Sequence, residues 1–283
     1  MIKVYGYMME EQDSMINTTK ILFPDKTPLI KMRYSDFKYE GYLNIVWKYE
    51  SEDELVTLIY LVKHLESKGI YSVRLIMPYI PNARMDRVKN DDEVFTLKYF
   101  CDVINWLEFD RVLVLDPHSY VSEGLINNIQ TMSLKPYIKK AISKIPNNGN
   151  IMFFYPDEGA MKRYSDLFKA PYAFGIKKRD WATGKIEGLD IVGEVDRING
   201  RDVLILDDIC SKGGTAYYSA LKLKELGANK IYLYVTHCEN TIFEGELLED
   251  DLIEKVFTTD SIFTKEHEKI EVIKTDWEDV FRG

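Results

Sequence analysis

The stretch at residues 203–215, VLILDDICSKGGT, decides how this chain is read. Four apolar residues run into two adjacent carboxylates, Asp207 and Asp208. A short turn through Ser211, Lys212, Gly213, Gly214 and Thr215 then enters the helical pattern AYYSALKLKELG. Strand, loop and helix in that order place the loop at the carboxyl end of a buried parallel strand, where open α/β sheets bind ligands. Its glycines let backbone N–H groups turn toward an anion at the helix N-terminus. The two aspartates cannot serve that anion. They suit a neighbouring polyol, because a carboxylate accepts hydrogen bonds from two adjacent hydroxyls. The expected ligand is a sugar phosphate, and the plainer alternative is a tight connection with no ligand. Neither a G-x-x-x-x-G-K-[ST] P-loop nor a G-x-G-x-x-G fingerprint occurs in the chain.

With 283 residues, 46% apolar and 29% charged, the chain has the composition of a globular protein large enough for two ordinary domains. A net charge of −9 argues against a general nucleic-acid-binding surface. Anionic ligands must therefore meet local cationic clusters, and two exist: Arg84 with Arg87, and residues 177–179. No apolar run approaches the roughly 20 residues that span a bilayer. The N-terminal residues lack the layout of a signal peptide, so a cytoplasmic protein is expected. Cys101, Cys210 and Cys238 are odd in number and have no metal-ligand spacing. Cys210 reads as a small filler in the turn, with no base beside it to make it a nucleophile.

Taken in order, the chain reads as alternating strands and helices. MIKVYGY alternates as a strand does, a short helix is expected in the polar stretch before Phe23, and residues 28–49 read as a hairpin or edge ribbon. Leu55, Leu58, Ile59, Val62 and Leu65 recur at helical spacing before a Gly69 cap. A strand over residues 72–79 leads into MPYIPNARMDRVKNDD, where two prolines stiffen a loop carrying Arg84, Asp86 and Arg87. Paired guanidinium groups suit bidentate phosphate contact, although a basic loop on an acidic protein also serves as a salt-bridged surface. A helix over residues 94–106 precedes the strand RVLVLD, which ends at Asp116-Pro117-His118. His118 is placed for a metal or phosphate contact, or for a structural role. The turn signal PNNGN lies in the boundary region between residues 133 and 150, dividing the chain into domains at 1–135 and 136–283. In the second series, Asp157 follows the strand IMFFYP and can bind a hard cation through water. Lys177 and Arg179 open a polar segment, otherwise a solvated hairpin, and IYLYVTH forms another strand ending at His237.

These segments resemble the ribose-phosphate diphosphokinase (PRPP synthetase) family. Residues 203–215 are similar to its phosphoribosyl-diphosphate-binding run, with Ser211-Lys212 standing where the family usually has Asp-Thr. Residues 78–87 resemble its Pro-Tyr-x-x-Tyr-Ala-Arg-Gln-Asp-Arg run, with Asn82 for tyrosine and Met85 for glutamine. Asp116 to His118 resembles Val-Asp-Leu-His, Tyr155 to Gly159 resembles Pro-Asp-x-Gly with Lys162-Arg163 following, and Lys177 with Arg179 matches a flexible catalytic Lys-x-Arg loop. Tyr34-Ser35-Asp36 is a shorter match to a segment that reaches a neighbouring subunit's adenine, and a hairpin turn is its other reading.

The resemblance implies an α/β fold of two type I phosphoribosyltransferase-like domains, each a mainly parallel sheet flanked by helices. The first would bind ATP and the second the ribose phosphate. It implies diphosphate transfer from Mg-ATP to the anomeric C1 hydroxyl of ribose 5-phosphate, with release of AMP. Asp207 and Asp208 would hold the ribose, and Ser211, Lys212, Gly213, Gly214 and Thr215 its 5-phosphate. Arg84, Arg87, His118, Tyr34 and Asp36 would bind ATP, Lys177, Arg179 and His118 would act in catalysis, and His118 with Asp157 would hold Mg2+. A homo-oligomer is expected, with no nucleic acid or membrane partner. Lys212 adds a cation near the 5-substituent, which makes ADP-ribose an alternative acceptor in NAD rebuilding. The same resemblance leaves room for a noncatalytic regulatory subunit or a phosphoribosyltransferase.

Overall fold

A computed structural model describes residues 1–6, 14–16, 18–32, 42–146, 148–179 and 186–275, with the backbone alone at 14–15, 148, 177–179 and 186–189. The chain divides into two compact units, Met1–Ser133 and Leu134–Thr275. Among the described residues, no helix is long and apolar enough to cross a membrane.

The first unit is built on a sheet of β1 (Ile2–Gly6), β2 (Ser14–Ile16), β5 (Leu43–Trp47), β6 (Val73–Ile76), β7 (Arg111–Leu115) and β8 (Ile129–Met132), in the order β2-β1-β5-β6-β7-β8. Strands β5 to β8 are parallel, and β1 and β2 extend the sheet antiparallel at one side. β5 is buried along its whole length, as a strand covered on both faces must be. The two-residue period separates the faces. Ile45, Leu75, Val112 and Val114 join the main core with Trp47, Leu58 and Phe100, while Val46, Ile76 and Leu113 pack on the other side with Tyr5 and Met132.

Helix α1 (Asp53–Ser67) buries Leu58, Leu61, Val62 and Leu65, and its first turn carries Asp53 and Glu54 where the helix dipole favours negative charge. It ends as its sequence requires. Gly69 takes φ 78°, its N–H donates to the Glu66 carbonyl at 2.9 Å, and the Ile70 N–H reaches the Leu65 carbonyl at 3.0 Å. Helices α2 (Thr96–Trp106) and α3 (Tyr120–Leu125) complete the unit.

Among the described residues, the stretch before Phe23 is strand where a short helix was expected. It holds β2 and then β3 (Thr18–Leu22), which pairs antiparallel with β4 (Pro28–Met32) in a separate two-stranded sheet. The turn explains the difference: the Asp25 carboxylate accepts the Thr27 N–H at 3.0 Å and Lys26 takes φ 67°, so the chain reverses. β4 pairs with β3, and β5 enters the main sheet, so residues 28–49 do not form one ribbon.

The second unit begins with α4 (Lys135–Ser143) and carries the sheet order β11-β10-β9-β12-β13-β14-β15. Its strands are β9 (Ile151–Tyr155), β10 (Tyr172–Arg179), β11 (Ile186–Gly193), β12 (Asp202–Cys210), β13 (Ile231–Cys238), β14 (Lys255–Thr259) and β15 (Ile270–Ile273). All neighbours are parallel except β10 and β11. α5 (Glu158–Tyr164) follows β9, and α6 (Gly214–Glu225) follows β12. Met152, Phe154, Ile205, Leu233 and Val256 form the spine of the core. The expected α/β architecture, with mainly parallel sheets flanked by helices, is what the chain adopts.

Phe154 is fully buried in that spine. Phe154→Ala is expected to cost about 3–5 kcal/mol, the range for deleting a packed aromatic ring, and urea unfolding with linear extrapolation measures it.

Candidate functional site

In the first unit the candidate residues gather where β6 and β7 end. After Ile76 the chain stays zipped to β7, with the Met77 N–H donating to the Leu113 carbonyl at 2.8 Å and the Leu115 N–H to the Pro78 carbonyl at 3.0 Å. It then turns through Asn82, whose φ of 63° lies in the left-handed region that asparagine tolerates. The Met85 N–H closes the turn on the Asn82 carbonyl at 2.8 Å. Farther on, the Glu93 carboxylate accepts the Lys89 N–H at 2.8 Å and the Asn90 side chain at 3.1 Å.

Across from this loop, β7 runs into buried Asp116, which takes φ 50°, and then His118. The Ser119 hydroxyl accepts the Val121 N–H at 3.0 Å and caps α3, fixing where the strand-end loop stops. Arg84, Asp86, Arg87, Lys89 and His118 together line a cleft of about 190 Å3. Arg84 and Arg87 thus share one concavity with His118, which lies far from them in sequence. Tyr34 and Asp36 lie outside the described residues.

In the second unit β9 and β12 are parallel neighbours, and β12 runs on past the last β9 pairing at Ile205 to Cys210. Asp157 caps α5, its Oδ1 accepting the Ala160 N–H at 3.0 Å. A Cβ on Gly159 would lie 3.2 Å from that same oxygen, so glycine there leaves room for the cap. At the end of β12, the Asp208 N–H donates to Asp207 Oδ1 at 3.0 Å. Burial, followed by the charge of Asp208 and then that of Asp157, pushes the Asp207 carboxyl well above the usual carboxylate range. Asp208 is itself buried, and it meets Arg163 of α5, whose Nη1 lies 3.0 Å from Asp208 Oδ2. Among the described residues no group of three or more histidine, cysteine or acidic side chains is arranged to hold a metal without other ligands.

The loop after the dyad is braced by the segment that follows β13. The Glu239 N–H donates to the Cys210 carbonyl at 2.8 Å, and the Ser211 and Thr241 hydroxyls lie 3.0 Å apart. Lys212 Nζ pairs with Glu244 at 2.9 Å. Gly213 caps α6 at φ 80° against the Leu247 side chain, which a Cβ would meet at 2.8 Å. Gly214 opens α6, so the first N–H groups of that helix lack intrahelical acceptors and face the loop side. Cys210 and Cys238 are buried partners in register across β12 and β13. Hydrogen bonding to Cys210 and burial hold the Cys238 thiol far above its ordinary range, which fits a packing role.

Lys177 and Arg179 belong to the end of β10, paired with Leu189 and Ile186 of β11 across a register shift between Lys178 and Arg179. Their backbone is therefore strand where the resemblance implied a loop; residues 180–185 lie outside the described part. His237 is buried, with Nδ1 2.8 Å from the Ser261 hydroxyl, in a polar network with Thr236 and Thr259. Three further residues of the site were not singled out from sequence: Arg163, Thr241 and Glu244. Only Arg163 had a signal, as the second member of a basic pair six residues after Asp157.

Two outcomes follow from this geometry. A carboxyl whose folded pKa exceeds its unfolded value binds protons better when folded, so it supports folding in acid and opposes it as pH rises past the unfolded value. Asp207→Asn is therefore expected to raise the melting midpoint at pH 7 by a few degrees, as about 1 kcal/mol does, with the gap closing toward pH 4. Calorimetry at both pH values measures it, and a lower midpoint at pH 7 contradicts it. Gly245 faces the loop so closely that a Cβ would lie 1.8 Å from the Lys212 carbonyl oxygen. Gly245→Ala should destabilise by about 1–3 kcal/mol through overpacking. Gly124→Ala, with nothing within 4 Å of the added carbon, should be neutral or slightly stabilising in the same melt.

Comparison with known proteins places this geometry in a family. Residues 181–280 match the model of the phosphoribosyl synthetase-associated domain. A ribose-phosphate pyrophosphokinase of Hyphomonas neptunium is 30% identical over 225 residues, covering 77% of this chain and 70% of that protein. Ribose-phosphate pyrophosphokinase 2 of Enterococcus faecalis is 29% identical over 226 residues, covering 77% and 68%. The crystal structure of phosphoribosylpyrophosphate synthetase from Mycobacterium smegmatis superposes with a TM-score of 0.77 at 18% identity, covering 95% of this chain and 88% of that one, and so shares the fold. With that identity and coverage, the chain belongs to the ribose-phosphate pyrophosphokinase family.

Proposed function

We propose that the protein transfers the terminal diphosphate of ATP to the anomeric C1 hydroxyl of ribose 5-phosphate and releases AMP. The observation that carries this reading is the Asp207–Asp208 pair near the end of β12, whose last residue Cys210 leads through Ser211 and Lys212 into the glycines that open α6. Carboxylates there suit the ribose 2- and 3-hydroxyls, and the N–H groups of residues 211–215 suit its 5-phosphate. The C1 hydroxyl oxygen attacks the β-phosphorus in line, the bond from that phosphorus to the α,β-bridging oxygen breaks, and the hydroxyl proton is lost. No covalent enzyme intermediate is needed, so the protein contributes positioning and charge.

In this reading Arg84, Arg87 and His118 bind the ATP phosphates, supported by their common cleft. Tyr34 and Asp36 contact the adenine of an ATP bound to a second copy, which makes a homo-oligomer part of the proposal. Lys177 and Arg179 stabilise the transferring phosphoryl group. Asp157, a single carboxylate beside the acidic dyad, fits Mg2+, which keeps its waters and binds substrate oxygens alongside one or two protein carboxylates. His118 is the other proposed contact of the metal–nucleotide complex. When bound, the cation neutralises phosphate charge. ATP and a sugar phosphate as substrates point to the cytoplasm.

Ribose 5-phosphate is the acceptor the observations favour. Lys212, the residue that invited a second phosphate, is already paired with Glu244 at 2.9 Å. The ADP-ribose reading has no other support on this chain. Arg84 and Arg87 in one cleft speak for an ATP-using enzyme over a phosphoribosyltransferase or a noncatalytic subunit.

The decisive assay supplies ATP and Mg2+ with ribose 5-phosphate or ADP-ribose and follows AMP and product mass. AMP and a diphosphate-sized mass gain on ribose 5-phosphate are expected. Folded protein that yields neither on either acceptor sinks the reading, and base-dependent release of diphosphate from phosphoribosyl diphosphate without ATP would replace it with a phosphoribosyltransferase. Lys212→Thr should leave the ratio of rates on the two acceptors within about twofold, because an exposed ion pair contributes little.

A further inference from the structure

Two basic residues sit side by side near the end of α5, and the fold separates their roles. Lys162 stays at the surface and pairs with Glu158 one turn back at 2.9 Å, both side chains being about two-thirds exposed at 64% and 66%. Arg163 turns the other way. Its side chain is 17% exposed, lies 5.5 Å from the centre of the buried Tyr164 ring, and donates to an Asp208 carboxylate that is 5% exposed. The same short helix begins at Asp157, whose charge also acts on Asp207. One helix thus brings both a carboxylate and a guanidinium to the end of β12.

A buried ion pair is weak evidence for stability, since desolvating both charges offsets most of their attraction. Its effect is instead to set which groups are charged and where they point. Asp207 and Asp208 are adjacent carboxylates, the charge of Asp157 acts on Asp207 as well, and Arg163 brings to Asp208 a cation that offsets their repulsion.

We infer that Arg163 is a positioning residue for the acceptor, holding the Asp208 carboxylate oriented toward the ribose hydroxyls. This rests on the reading of Asp207 and Asp208 as the ribose site. Arg163 acts through Asp208 and makes no demand on ATP, which separates it from a residue that merely keeps the unit folded.

Steady-state kinetics with each substrate varied in turn test this in the full-length protein. Arg163→Met is expected to raise the KM for ribose 5-phosphate at least tenfold while the KM for ATP stays within about twofold, the mark of lost acceptor binding. Arg163→Lys should recover part of the loss, because a lysine restores the charge without the planar fork. Arg163→Met takes a charge partner from the buried Asp208, so the double variant Arg163→Met with Asp208→Asn accompanies it and removes that charge. If Arg163 works through Asp208, the double variant matches Asp208→Asn alone in its KM for ribose 5-phosphate. That comparison decides the matter even where Arg163→Met alone fails to fold. Additive losses overturn the inference, as does an unchanged KM for ribose 5-phosphate or an equal rise in both constants. An active wild type with any of these results removes the role of Arg163 alone. A folded wild type inactive on ribose 5-phosphate removes the functional reading, and this inference with it.

Discussion

Two adjacent carboxylates at the end of a buried strand repel each other, and much of the second unit is arranged around that repulsion. β12 carries Asp207 opposite Val235 of β13, beyond the last residue that pairs with β9, and buries Asp208 next to it. Burial raises the cost of charge on Asp207, and Asp157 at the end of β9 adds to it. The response comes from outside the strand. α5 supplies a guanidinium to Asp208, and the Asp208 N–H supports Asp207. Such a site sacrifices stability for readiness, since a cluster of acids is most at ease when hydroxyls or a cation arrive to share it.

The loop that follows is held by a different kind of force. Its backbone has little apolar surface of its own, and it depends on the chain after β13 for hydrogen bonds, an ion pair and close glycine contacts. A loop braced in this way is preformed, so an anion can be met by N–H groups already in place and less ordering entropy opposes binding. The glycines matter here for two reasons. Gly213 supplies a left-handed turn, and Gly245 allows one backbone to lie against another.

What could be read from sequence follows from how local each signal is. The apolar runs of β9, β12 and β13 announce strands buried on both faces, and α1 declares itself by four buried positions at helical spacing with a glycine after them. Asp157 was legible because it follows the strand β9, and Asp207 and Asp208 because they end the apolar run of β12, two residues before that strand stops. The β2–β3 region was misread because exposed short strands show neither clean alternation nor a helical stripe; β3 is exposed through most of its length. Arg163 and Glu244 were missed for another reason. Each acquires its partner across a long sequence separation, 45 residues for Arg163 to Asp208 and the whole of α6 and β13 for Lys212 to Glu244, and residue type alone does not reveal such pairing.

The reading of Lys212 shows how such a distant partner alters chemistry inferred from a motif. Taken with its neighbours in sequence, its ammonium is an added charge beside the anion loop, and a larger anionic substrate follows from it. Glu244 changes that balance, because a paired lysine brings little net field to its surroundings and must give up its partner before it can serve another anion. The opposite holds for Arg163, which in sequence is only the second basic residue after the Pro-Asp-x-Gly run and in the fold is a cation paired with the acidic dyad. Charge in a binding site is therefore a property of the pairs the fold makes. In this chain, with its excess of acidic residues, those pairings decide where an anionic substrate finds positive charge and where it meets only neutral hydrogen-bond donors.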